Sequence, residues 1–242
     1  MPQLAVSVEF LREYAKLQPP IRKQTDEALK KFAEHTHAGL HLEKLVNMRD
    51  DRVRTIRITD YWRGVVLAPT SGDRYTLLRV MGHDEAVEWA KRRVFSINEV
   101  SGVLEVRDVA MIEKLSSDTI PTTTTAAEPL FAHIDDKDLT RLGVDEQVRR
   151  LARTLTDEAA LEAVEPFLPA NQHEVLFGLA TGMTVEQVWA DVVAPRIPDE
   201  PIDTDDIVAA VERTQGQIAL VDGPDDLVEL LEKPFAAWRG FL

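Results

Sequence analysis

Residues 79–93 read RVMGHDEAVEWAKRR, and His83 follows Gly82 where an alternating segment gives way to a helical one. Histidine titrates near neutral pH, so at such a strand–helix corner it can act as a general acid or base. Five arginines, Arg54, Arg57, Arg63, Arg74 and Arg79, lie on the preceding strand-like segments. Arg57 and Arg63 fall on one face with Tyr61 or Trp62 beside a turn. Cations next to an aromatic ring can hold single-stranded nucleic acid through phosphate contacts and base stacking, without cutting it. Plainer readings stand beside these. His83 can cap or pack at the corner, with Asp84 and Glu85 as first-turn residues that the helix dipole favours. The arginines can form a solvated sheet face paired with carboxylates.

The elements that must position these residues follow from periodicity. LAVSVEF (4–10) alternates and is β-branched, which predicts a strand. FLREYAKL has helical spacing, and IRKQTDEALKKFAEHT (21–36) sets Ile21, Ala28, Leu29, Phe32 and Ala33 on one face after Pro19 and Pro20, which are tolerated in a first turn. Together they predict a helical hairpin. AGLHLEKLV (38–46) reads as a loop with a short apolar anchor. DDRVRTIRITD (50–60), YWRGVVLAP (61–69) and RYTLLRVM (74–81) predict three consecutive antiparallel strands, with a tight connection near Asp60 and a turn at 71–73. Residues 83–95 predict a helix, and SGVLEVRDV (101–109) can add a strand.

Residues 116–129, SSDTIPTTTTAAEP, form a linker and the clearest domain boundary. Beyond it, 130–194 reads as a run of short helices. Residues 195–206 predict a second linker, QIALV (217–221) a short strand, and the segment from Asp225 to the C-terminus an amphipathic helix. The expected class is α+β: an antiparallel sheet with a helical hairpin over residues 1–115, then a mostly helical acidic region.

The 242 residues carry a net charge of -14, distributed unevenly. Residues 1–100 sum to +3 and residues 101–242 to -17. An acidic surface repels a phosphate backbone, so residues 1–100 form the plausible nucleic-acid surface for DNA or RNA. The acidic residues 130–242 can instead fold back on the basic part. Cysteine is absent, which excludes disulfides and thiolate metal sites and fits a cytoplasmic protein. No apolar run reaches the roughly 20 residues of a membrane span, and the N-terminus lacks signal-peptide character.

Neither a phosphate loop nor G-x-G-x-x-G occurs, so no ATP or dinucleotide site is expected in this chain. His35 and His37 read as a polar loop, because a metal site needs three or four converging ligands. Asp135, Asp136 and Asp138 lack the glycine and closing glutamate of a calcium loop and fit a helix N-terminus.

EFLREYAKLQPPIRKQTDEALKKFAEH, GLHLEKL, VRTIRITDYWRGVVL and LLRVMGHDEAVEWA, in that order, resemble the RelE/ParE superfamily of bacterial toxins over about residues 3–95. With GHDEAVEWA and the terminal PFAAWRGFL, the chain is also similar to the N-terminal region of actinobacterial UvrD/Rep-like superfamily 1 DNA helicases. There a RelE-like domain and a helical segment precede the motor. That resemblance implies that ATP and Mg²⁺ belong to a motor lying beyond Leu242, and that this region needs no cofactor.

RelE-type toxins cut ribosome-bound mRNA by attack of the 2′-hydroxyl on the adjacent phosphate, which needs a base, an acid and cations around the transition state. Carried over, Arg57 matches one strand cation and Arg63 the arginine after the turn, with His83 at the corner. Thr55 stands where another cation is expected, Asp84 near an expected arginine, and Trp89 near an expected tyrosine. Aspartate repels the scissile phosphate, and tryptophan cannot serve as a base. Three expectations follow. The first is a non-catalytic accessory module of a helicase that holds nucleic acid or a partner through Arg54, Arg57, Tyr61, Trp62, Arg63 and Arg79. The second is an endoribonuclease using His83, Arg63 and Arg57. The third is an interaction module in which the acidic helices mask the basic sheet.

Overall fold

The computed structural model describes residues 3–34, 42–70, 72, 74–118, 128–214, 218–221, 226 and 229. His35, His37, most of the 116–129 linker and the C-terminal helix expected from Asp225 onward lie outside the described residues. The class is α+β. By internal packing the chain forms two compact units, residues 1–91 with 205–242, and residues 92–204.

The first unit is built on a six-stranded sheet in the order β2-β3-β4-β5-β1-β8. Strand β1 is Gln3–Ser7, shorter than the expected 4–10, because Ser7 caps the next helix: its hydroxyl accepts from the Phe10 amide at 3.0 Å and donates to the Leu78 carbonyl. Helices α1 (Val8–Lys16) and α2 (Pro19–Glu34) form the predicted hairpin, with Pro19 and Pro20 in the first turn of α2. Residues 42–44, expected in a loop, form the edge strand β2 against β3. Strands β3 (Val53–Arg57), β4 (Trp62–Leu67) and β5 (Arg74–Gly82) make the expected antiparallel run. The sheet is mixed rather than wholly antiparallel, since β1 runs parallel to β5 and antiparallel to β8 (Ile218–Val221).

Phe10, Phe32 and Leu77 are fully buried in a core shared with Tyr14, Ile56, Val66, Tyr75 and Val80. Each large apolar side chain buried this way contributes about 1.5–3 kcal/mol. The Phe32 and Tyr75 rings meet edge-to-face at 5.1 Å. Tyr14 fastens the hairpin: its hydroxyl donates to Asp26 and the Arg22 guanidinium lies over its ring. Burial, then the bond to Asp26, pushes its phenol far above the ordinary range.

Helix α3 covers His83–Arg92 and stops there, short of the expected 83–95. Arg93–Ile97 is instead strand β6, paired with β7 (Leu104–Asp108) in a two-stranded sheet of the second unit. Val94, Phe95 and Ile97 favour a pleated surface, and Asp108 lies 3.4–3.5 Å from Arg92 and Arg93, which holds the end of the hairpin. These strands and helix α4 (Val109–Asp118), assigned from sequence to the domain 1–115, therefore belong to the second unit.

The expected run of short helices follows: α5 (Asp136–Arg141), α6 (Glu146–Ala152), α7 (Glu158–Val164), α8 (Ala170–Ala180) and α9 (Val185–Val188), which continues into a π-helical turn, Trp189–Val193. Asp135 is the N-cap of α5, as the helix-terminus reading required. Phe131, Leu139, Leu151, Leu161 and Leu176 are fully buried in this unit's core. Helix α10 (Ile207–Arg213), beyond the 195–206 linker, returns the chain to the first unit. Among the described residues no helix is long and apolar enough to cross a membrane.

Candidate nucleic-acid interface

The β3–β4 turn assembles itself locally. The amides of Ile58 and Thr59 donate to the Trp62 carbonyl at 3.1 and 3.2 Å, and the Thr59 hydroxyl accepts from the Tyr61 and Trp62 amides. This closure sets Arg57 directly opposite Arg63 across the ladder, so the two share a face as the alternation predicted. It also leaves Tyr61 at the tip, 66% exposed, while Trp62 packs partly into the core. Their rings meet edge-to-face at 6.0 Å.

The strand–helix corner is adjacent. The His83 amide donates to the Tyr61 carbonyl at 2.7 Å, and Trp62 pairs with Gly82. A Cβ on Gly82 would come 3.0 Å from the Tyr61 hydroxyl oxygen, so the missing side chain gives the tyrosine its place. Arg57, Arg63, Tyr61, Trp62 and His83 thus gather at one end of the sheet. Arg54 and Arg79 sit further along it, level with Val66 and Val65 of β4.

Most of the arginines are engaged from within. Arg63 is only 7% exposed, and its Nη1 donates to the carbonyls of Thr59 (2.8 Å), Trp62 (3.2 Å) and Asp60 (3.4 Å). Its Nε lies 3.6 Å from Glu43. Arg79 is clamped by Glu13, whose other oxygen accepts the Val80 amide at 2.9 Å, and its guanidinium lies over the Trp89 ring. Arg74 pairs with Glu212. Arg54 turns back onto the Asp51 and Val53 carbonyls. Arg57 differs: it is half-exposed, and among the described residues its ion pair is with the almost fully exposed Asp60, whose hydrogen bond raises its already high pKa. His83 Nδ1 is 3.0 Å from the Asp84 carboxylate, and Thr55, where the resemblance expects a cation, is buried.

The second unit holds a polar cluster around Glu105, which is 4% exposed. Asn98 and Asn171 donate to Oε1 at 2.7 and 2.6 Å, and Gln172 donates to Oε2 at 2.7 Å. Backbone donors fix two of these amides. Asn98 Oδ1 accepts the Val100 and Ser101 amides, and Gln172 Oε1 accepts the Asp145 amide, so their NH₂ groups must face the carboxylate. Gln172 also donates to Asp145, which pairs with Arg107 at 2.6 Å. Burial outweighs the amide bonds and pushes the Glu105 carboxyl up to about 7. In the sequence Glu105 is one polar position in the strand expected over 101–109, and no local signal marks it as a site residue. The same holds for Glu13 and Glu43, the carboxylates that hold Arg79 and Arg63.

No protein family, curated protein or solved structure matches the chain.

Proposed function

We propose that this chain is a non-catalytic accessory module that grips single-stranded nucleic acid at the β3–β4 tip. The observation that carries this reading is the pairing of an exposed ring, Tyr61, with the half-exposed Arg57 while Arg63 is buried and spent on the turn's own carbonyls. A base can stack on Tyr61, which rests against Gly82. The Arg57–Asp60 pair is a surface ion pair, worth little in water, so a phosphate can displace Asp60. Cleavage would ask Arg63 to leave several hydrogen bonds and His83 to act beside Asp84. The resemblance to UvrD/Rep-like helicase N-terminal regions supports placing such a grip beside a DNA motor.

The test is fluorescence anisotropy with a labelled single strand, comparing the full chain with Tyr61→Ala. Stacking on an aromatic is worth about 1–3 kcal/mol per base, so binding should weaken about 5- to 150-fold. A parallel incubation with translating ribosomes asks whether mRNA is cut. Cleavage that disappears in His83→Ala would replace this reading with the endoribonuclease.

A further inference from the structure

We infer that the outer face of the α1–α2 hairpin is a second contact surface, a track for the sugar–phosphate backbone of the strand held at the β3–β4 tip; this rests on the reading above. Arg12 and Lys16 of α1 and Lys23, Lys30 and Lys31 of α2 are all exposed. None of the five makes an ion pair among the described residues, whereas the sheet arginines are tied to Glu13, Glu43, Asp60 and Glu212. The helical repeat explains the arrangement. Arg12 and Lys16 are four apart, Lys23 and Lys30 seven apart, and each set lies opposite the buried stripes of Phe10, Leu11 and Tyr14 or of Thr25, Leu29 and Phe32. Among the side chains described, Glu9 and Glu27 are the exposed carboxylates on these faces, so there the cations outnumber them five to two.

The occupant follows from the chemistry. Seven residues of helix place Lys23 and Lys30 about 10 Å apart along the axis. Exposed lysines on flexible stems, without an ion pair among the described residues, suit a mobile chain of phosphates rather than one shaped anion, since lysine binds as a point charge. In a chain of net charge -14, a face where the described cations outnumber the described carboxylates reverses the local sign of the field and attracts a polyanion. A single strand offers that polyanion and is the partner proposed above for the β3–β4 tip of the same unit.

The test uses the full chain and a fluorescein-labelled thirty-nucleotide poly(dT), titrated by anisotropy from 25 to 150 mM salt. The neutral triple variant Lys23→Gln, Lys30→Gln, Lys31→Gln removes three contacts. Affinity at low salt should fall about tenfold or more, and the slope of log affinity against log salt should shrink by about 2. Lys114→Gln with Lys137→Gln, two exposed lysines of the second unit, should leave both unchanged. All five positions are exposed, and circular-dichroism melting verifies that each variant is folded. If the triple variant keeps the parent slope while Tyr61→Ala loses binding, the hairpin track is overturned and the tip grip stands. If the parent fails to bind at 25 mM salt, both fall. If poly-glutamate displaces the oligonucleotide as well as unlabelled poly(dT) does, the face receives acidic polypeptide, and the nucleic-acid assignment is overturned.

Discussion

Each unit has a buried charge held without a close ion pair, Arg63 in the first and Glu105 in the second, and the two are satisfied differently. The first buries the Arg63 guanidinium and satisfies it with carbonyls of the turn it helps to form. The second buries the Glu105 carboxyl and satisfies it with three side-chain amides from Asn98, Asn171 and Gln172. Arginine cannot shed its charge in water's pH range, so the first solution works at any pH. A carboxyl can, and burial has moved Glu105 to about 7, where it exchanges a proton under ordinary conditions. The partners differ too. Arg63 donates to carbonyls beside an exposed turn, which water can reach if the guanidinium leaves. Two of the three amides around Glu105, those of Asn98 and Gln172, are locked by backbone donors and cannot turn an oxygen towards it or away from it freely.

The largest effect should therefore come from Glu105→Ala. It removes the acceptor of one N–H each on Asn98, Asn171 and Gln172 in a largely buried cluster, leaving Asn98 its bond to the Gly143 carbonyl and Gln172 its bond to Asp145. Such losses cost about 3 kcal/mol or more. Glu105→Gln retains one acceptor oxygen but sets an NH₂ against other NH₂ donors, and should cost less. Urea denaturation measures both. Equal stability of Glu105→Ala and the parent would mean that the cluster is ornamental.

Next in size is the pH dependence. An unfolded glutamate loses its proton near 4.5, while folded Glu105 keeps it to about 7. Between those values the folded chain holds a proton that the unfolded chain has lost. The contribution to stability is fully present below 4.5 and is lost as pH rises through 7. The window allows a few kcal/mol at most. Urea midpoints at pH 5 and pH 8 should therefore differ, with pH 5 the more stable, and Glu105→Gln should flatten this part of the profile. A parent more stable at pH 8 than at pH 5 would show that Glu105 folds in its ionised form.

The contrast also explains what could be read in the sequence. The strands of 53–57, 62–67 and 74–82 were legible because one local rule, alternation with a turn at Asp60, fixes both their existence and the juxtaposition of Arg57 and Arg63. The end of α3 was not, because Lys91, Arg92 and Arg93 suit a helix C-terminus as well as the start of a strand. Pairing with β7 and the distant Asp108 decides it. The parallel β1–β5 contact joins residues about 70 apart, and no local pattern encodes it. The cations of the candidate site were visible as residue types. Their availability was not, since it depends on Glu13 and Glu43, which tertiary structure brings to Arg79 and Arg63. Glu105 was hidden for the same reason: glutamate between Leu104 and Val106 reads as an outward strand position until Asn171 and Gln172 of α8 close over it.

The smallest effect should come from Arg63→Met. Methionine keeps much of the unbranched stem that packs along the sheet and removes only the charged head. The three carbonyls it leaves belong to an exposed turn, where water can replace the guanidinium, and Glu43 loses only a 3.6 Å contact at the sheet edge. The cost should be about 1 kcal/mol, equal at pH 5 and pH 8, in contrast to the Glu105 profile. Binding of a single strand should stay within about twofold of the parent, because stacking on Tyr61 and displacement of Asp60 from Arg57 do not use Arg63. Anisotropy and urea denaturation on one preparation measure both. A collapse of binding at unchanged stability would place Arg63 in the interface, and would mean that the turn opens to release its guanidinium to the strand.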